Sequence, residues 1–279
     1  MKLLNAVFAS AWMGWKREME WTNPALSLII KTVAPAAAVL GAATVYWFGA
    51  FTAGQFTAER LAYILVGASI YGQVAAYAYV PTAAIAEGKW SNLYPQVYIT
   101  PTSSVPYLAG RCLASFADSV PIIAVSLAVS YYVSQALFGV SPTVLVSLQS
   151  VLMLVAALLA SIPATLALGY IQGSYSIFVS RFEWALPSYV SGLLMIFSEA
   201  LFPANILPYP LPLIANVLPF TYLMRASRAA LIYNSWPTYV VSMGYLVLGG
   251  LVFLSIGIIG FSVAERSARR RGFIDKKVM

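Results

Sequence analysis

The stretch 119-SVPIIAVSLAVSYYVSQALFGVSPTVLVSLQSVLMLVAALLASIPATLALGYIQGSYSIFVS-180 runs for 62 residues without an Asp, Glu, Lys or Arg. An apolar helix of about 20 residues is enough to cross the hydrocarbon core of a bilayer, so this run is too long for a single crossing. It is broken at 134-SQALFGVSP-142, where Ser, Gly and Pro cluster as they do in turns. The break separates two spans, whose full extents are read as 106–135 and 143–171. Outward from there, the same criterion places spans at 25–51, 61–86, 184–202 and 237–263. Composition agrees. The 279-residue chain is 61% hydrophobic and 9% charged, with mean hydropathy +0.80, whereas soluble domains are about 25% charged. The expected fold is an all-α membrane protein of six transmembrane helices in a single domain, 1–279.

Six spans leave both termini on one side. The segments on that side carry 13 of the 16 Lys and Arg residues, and the opposite side carries Arg60, Arg225 and Arg228. The positive-inside rule then makes both termini cytoplasmic, in a multi-pass protein of the plasma membrane. The net charge of +7 is thereby a matter of topology and implies no nucleic acid. Residues 1–22 read as an interfacial helix. Leu4, Phe8, Ala11, Trp15 and Met19 recur at helical spacing beside Trp12, and Lys16, Arg17, Glu18 and Glu20 crowd the end. These charges leave no long uncharged core, so no cleavable signal peptide is evident. Residues 264–279 form a basic cytoplasmic tail attracted to anionic lipid.

Residues 203–235, between the fifth and sixth spans, are apolar but should not cross. Pro203, Pro208, Pro210, Pro212 and Pro219 each remove a helix donor or clash with the preceding turn. The segment is expected to dip into the outer leaflet as two short re-entrant pieces, with Pro219 in the first turn of the second. Arg225 and Arg228 then share a face, with Tyr222 a turn earlier. They either snorkel to the outer headgroups or form a gate or a contact for an anionic or amphipathic substrate. Arg111 and Asp118, seven apart, share a helix face two turns apart and are expected to pair or to make a helix-packing contact. Arg111 and Lys31 would otherwise snorkel to the cytoplasmic interface.

Several chemistries are excluded. The chain has no histidine and one cysteine, Cys112. No disulfide can close within it, no Ser/His or Cys/His nucleophile can be assembled, and no zinc ligand set is expected. Cys112 reads as a small apolar filler. There is no G-x-x-x-x-G-K-[ST] nucleotide loop. The chain is expected to be neither an ATPase nor an enzyme, with no metal and no cofactor of its own. Gly169, Gly173, Gly249, Gly250, Gly257 and Gly260 are candidates for close helix packing. The tyrosines 71, 77, 79, 131 and 132 and Phe138 read as packing or interface residues, which permit an apolar cargo without naming one.

The remaining feature is the polar loop 87–105, opening 87-EGKWSNLYPQVYITP-101. It is longer than the two to six residues of common connections, and charge asymmetry puts it in the cytoplasm. Glu87 and Gly88, followed by an amphipathic stretch and then Thr100 and Pro101, resemble the loop after the second span in permease subunits of ABC-2 type transporters. The run 108-LAGRCLA-114 leads into the third span as it does there. The stretch 218-LPFTYLMRASRAAL-231 is similar to that family's second signature, matched by Pro219, Thr221, Tyr222 and Arg228.

The resemblance covers the whole chain. It implies a dimer of permeases, identical or paralogous, paired with two cytoplasmic ABC ATPase subunits that carry the ATP and Mg. The loop would form a coupling helix on the ATPase, through Glu87, Gly88, Lys89, Trp90, Tyr94, Tyr98, Thr100 and Pro101. Pro219, Thr221, Tyr222, Arg225 and Arg228 would lie in an outer gate. The implied function is export of a hydrophobic or amphipathic substrate. Two alternatives stand beside it. One is a stand-alone intramembrane enzyme or assembly factor using Asp118, Arg225 and Arg228. The other is an ion-coupled secondary transporter using Asp118.

Overall fold

Long apolar runs free of charge can satisfy their backbone polar groups in lipid only as helices or closed barrels, and here they form helices. The computed structural model describes residues 2–19, 23–90, 104–139, 141–179 and 185–271, with every side chain among them except those at 2, 3, 17–19, 24, 25, 28 and 90. Every regular element among the described residues is helical. In chain order these are α1 (Lys2–Met19), α2 (Pro24–Thr52), α3 (Ala58–Trp90), α4 (Val105–Phe138), α5 (Leu148–Ala160), α6 (Ile162–Phe178) and α7 (Ala185–Phe197). A 3-10 turn (Ala204–Ile206) leads to α8 (Leu211–Val217) and α9 (Pro219–Arg228), and a π turn (Ala229–Tyr233) leads to α10 (Trp236–Arg271).

Five helices are long and apolar enough to cross a membrane: Ile29–Thr52, Ala58–Lys89, Val105–Phe138, Leu148–Phe178 and Trp236–Arg271. They mark a multi-pass membrane protein. The expected fifth span differs from them. Its helix, α7, has 13 residues, about 20 Å at 1.5 Å per residue, against a core of about 30 Å. The break in the opening stretch is present and has local causes. Gly139 ends α4 with a left-handed φ of 66° and donates its N–H to Gln135 O. Ser147 caps α5, accepting the N–H of Ser150 at 3.1 Å. Between them Leu145 N–H bonds Leu231 O at 2.7 Å, so the connection is tied to the turn before α10 and α5 starts later than 143.

Small residues set the closest helix contacts. On α10, a Cβ at Gly257 would lie 3.0 Å from Ala167 O and one at Gly250 would lie 3.2 Å from Ala164 N, so the backbones of α10 and α6 nearly touch. Gly169 of α6 faces the buried Cys112, whose Sγ would lie 2.8 Å from an added Cβ, and Gly173 faces Leu108 and Phe261. Gly249 has only Pro219 as neighbour, and Gly260 meets nothing within 4 Å. α1 crosses α4 at Gly110, where a Cβ would lie 2.5 Å from Val7 O, and Ser10 Oγ donates to Tyr107 O at 2.7 Å. The packed face of α1 is thus the small one, and Leu4, Phe8, Trp12 and Trp15 are exposed. That outward apolar face suits contact with lipid.

These contacts predict an asymmetric response to one added methyl group. Gly110→Ala should push α1 off α4 and cost about 1–3 kcal/mol, read as a lowered melting temperature in detergent. Gly260→Ala should leave the melting temperature within experimental scatter.

Candidate functional site

Two polar clusters stand out, at opposite ends of the helix bundle. The first lies where α7 stops. Beyond Phe197 the chain turns at Glu199, whose φ of 60° is left-handed, a conformation uncommon outside glycine. It then passes through the 3-10 turn and α8 to Leu218, which separates α8 from α9 in an extended conformation. Pro219 begins α9, where its missing N–H leaves no hydrogen bond unmade. Pro219 packs on Gly249, 13 residues along α10 from Trp236, or about 20 Å. From that depth α9 climbs back toward the start of α10.

A broken helix at such depth must find partners for its carbonyls. Thr221 Oγ1 donates to Ala215 O at 2.7 Å and lies 3.0 Å from Phe197 O. Tyr222 OH donates to Asn216 O at 2.8 Å. Arg228 Nη2 donates to Glu199 O and, at 2.9 Å, to Ala200 O, while Nε and Nη2 lie 3.4 Å from Tyr63 O. The guanidinium carbon sits 3.4 Å from the centroid of the Tyr63 ring, a cation–π stack. Gly67 makes room for it. A Cβ there would lie 1.9 Å from Ala200 O and 2.3 Å from Arg228 Nη2, so only glycine fits.

Arg225 holds the carboxylate of Glu199 in a fork, Nε to Oε2 at 2.9 Å and Nη2 to Oε1 at 2.6 Å, the bidentate geometry that arginine favours. Oε1 also accepts the N–H of Ala204 at 3.1 Å, and Nη2 reaches Asn216 Oδ1 at 3.0 Å. Tyr63, Glu199, Asn216, Arg225, Arg228 and Tyr233 face a cavity of about 400 Å³. A second cavity of about 720 Å³ shares Tyr63, Pro203 and Tyr233 with it and is walled by Tyr46, Ile64, Leu201, Phe202 and Ile206. Of the two readings of these arginines, snorkelling does not describe Arg228, which is 2% exposed and turned inward. Sequence reasoning did not place Glu199, Tyr63 or Gly67 in this site. The available signal was that Glu199 is the sole acidic residue of 184–235.

The second cluster is at the end where α3 and α4 adjoin residues 91–103. Glu87, Gly88, Lys89 and Trp90 are the last turn of α3 rather than loop. Lys89, expected at the ATPase contact, points into the bundle. It is 7% exposed, and its Nζ donates to Ser176 O, Ile177 O and Val179 O at 2.9, 3.2 and 3.4 Å. A cation there satisfies the terminal carbonyls of α6 and meets the negative end of its dipole. Glu87 Oε2 accepts from Arg111 Nη2 at 2.9 Å, and Lys31 Nζ donates to Asp118 Oδ2 at 2.8 Å. The expected Arg111–Asp118 pair is therefore not made. Two turns along one helix is about 10 Å, and each side chain instead finds a partner on a neighbouring helix. Glu265 is 4% exposed and accepts from Arg269 at 2.8 Å and from the Ser104 N–H at 3.4 Å. Tyr94, Tyr98, Thr100 and Pro101 lie outside the described residues, as does the Trp90 side chain.

Among the described residues no three His, Cys, Asp or Glu side chains gather as a metal site would need. No family model matches the sequence, and no curated protein matches it.

The fork predicts a coupled pair of variants. Glu199→Gln should cost about 1–3 kcal/mol, because it leaves Arg225 with half a partner. Adding Arg225→Gln should recover part of that loss. A double-mutant cycle of detergent melting curves measures the coupling, and strictly additive losses would count against the pairing.

Proposed function

We propose that this chain is the transmembrane permease subunit of an ABC-2 type transporter, driven by ATP hydrolysis on separate cytoplasmic ABC ATPase subunits. It would export a hydrophobic or amphipathic substrate. In this reading α7 with the crossover beyond it serves as the fifth of six spans, and 203–235 is an outer re-entrant segment. Both termini are cytoplasmic in the plasma membrane, and a second permease, identical or paralogous, completes the dimer.

The observation that carries the reading is how the two helix ends flanking residues 91–103 are rooted. On one flank, the last turn of α3 is tied to α4 by Glu87–Arg111 and to the end of α6 by Lys89. On the other flank, the N–H of Ser104, just before α4, is held by Glu265 of α10. A soluble partner pressing on the loop would move α3, α4, α6 and α10 together. The Glu87–Arg111 and Lys89–Ser176 contacts, both 2.9 Å, are short and directional, so displacement there would be passed on rather than absorbed. α1 packs on α4 beside Arg111, with Gly14 against its side chain, and so lies on the same linkage. Asp118, on which the ion-coupled alternative rests, is engaged by Lys31, which favours the ATP-driven reading.

Purified from its own membranes under mild detergent, the chain should bring down an ATPase chain in equal number. Glu87→Ala combined with Tyr98→Ala should keep that partner but lower stimulated ATPase activity and transport about tenfold, the scale of losing an interface hot spot. Undiminished stimulation, or labelling of a cysteine at position 94 from the outer face of sealed vesicles, would sink the proposal.

A further inference from the structure

We infer that the vestibule formed by Tyr63, Glu199, Arg225 and Arg228 is a binding site for the anionic headgroup of an amphiphile, whose apolar part lies in the adjoining cavity. This deepens the permease reading and rests on it for the sense in which the ligand is cargo.

The argument begins with charge. Two guanidinium groups and one carboxylate face the smaller cavity. Both oxygens of Glu199 are taken, Oε2 by Arg225 Nε and Oε1 by Arg225 Nη2 and the Ala204 N–H. Arg228 is bonded to carbonyls and stacked on a ring, and has no carboxylate partner among the described residues. Its charge is therefore buried without a direct ion pair, sharing the single Glu199 carboxylate with Arg225, which is costly in a region of low dielectric. Its Nη1 is buried and lacks any hydrogen-bond acceptor among the described residues. Arg225 Nη1 likewise makes no hydrogen bond there, and the Arg225 side chain is 33% exposed. The cavity thus presents a net positive charge and unused planar N–H donors, the combination that suits a phosphate or carboxylate group. Arg225 is the accessible contact, and Arg228 is the fixed charge behind it.

The shape of the ligand follows from the neighbouring cavity. It shares Tyr63, Pro203 and Tyr233 with the first, and Ile64, Leu201, Phe202 and Ile206 give it an apolar side beside Thr57, Glu59 and Arg60. Its two charged residues, Glu59 and Arg60, balance. A compact anion would fill only the first cavity. An amphiphile fills both, burying its apolar part at about 25 cal/mol per Å².

The test is equilibrium binding to the purified chain, without any ATPase, in a neutral maltoside detergent. The basic helix end would attract anionic lipid by itself, so the chain carries Arg270→Gln and Arg271→Gln throughout. The probes are dioctanoyl phosphatidic acid, dioctanoyl phosphatidylcholine and inorganic phosphate. Phosphatidic acid should bind saturably and at least about tenfold more tightly than either of the others. Thr238 lines the cavity, is exposed, and lies outside the Arg–Glu network. Thr238→Glu should weaken phosphatidic acid binding about three- to tenfold by adding a negative charge, whereas Thr238→Lys should not weaken it. Arg225→Lys, which keeps the charge but loses the planar fork, should weaken it as well. Equal binding of phosphatidylcholine and phosphatidic acid, inorganic phosphate binding as tightly as phosphatidic acid, or indifference to Thr238→Glu would each overturn the inference. Failure here leaves an ATPase partnership untouched, and the absence of an ATPase partner leaves this binding untouched, so the two proposals fall separately.

Discussion

A helix that stops inside an apolar layer cannot hand its backbone polar groups to water. That constraint shapes the whole of 185–235. α7 ends after 13 residues, and the chain must reach the far end of the bundle by another route. The carbonyls left over at the break are met by side chains from α9, Thr221 at Phe197 and Ala215, and Arg228 at Glu199 and Ala200. Arg228 can reach them because Gly67 of α3 leaves the space. Withdraw the guanidinium and the turn at Glu199, the depth of α8 and α9, and both cavities lose their common support.

The opposite end of the bundle follows the same physical rule with different residues. Carbonyls left without helical partners at the end of α6 meet a lysine, and the N–H just before α4 meets a glutamate. Cations at helix C-termini and anions at helix N-termini are the favourable arrangement for the helix dipole. Between the two ends, α10 and α6 lie almost backbone to backbone at Gly250 and Gly257. Such contact is rigid, since a packed interface moves as a unit more readily than it deforms. The bundle thus has a stiff centre and two charged ends, one flanking residues 91–103 and the other enclosing a vestibule.

The outline of the fold was legible because it depends on local composition. The turn at 134–142, the apolar face of α1 and the role of Pro219 as a helix start are properties of a few adjacent residues. Partnerships were not legible. Arg111 and Asp118 share a helix face, yet they bond Glu87 and Lys31, which lie 24 and 87 residues away in the chain. Lys89 looked like a surface residue of a polar loop and is instead the cap of another helix. Glu199, the sole acidic residue of 184–235, is the acceptor on which the vestibule's one ion pair among the described residues turns. In each case the deciding quantity is the position of a second helix, which spacing along one chain segment does not contain.

Taken by itself, the sequence determined that this is an apolar, all-helical chain, that long charge-free runs alternate with charged stretches, and that its proline-rich stretch before the last helix is not one unbroken helix. Those conclusions rest on the cost of exposing polar backbone and charge to hydrocarbon, which every residue contributes to independently. Only the tertiary structure decided which charges neutralise one another, how deep α7, α8 and α9 reach, and where a cavity remains. Those outcomes depend on distances of 2.6–3.4 Å between residues far apart in sequence, and hydrogen bonds are lost within about an ångström of such contact.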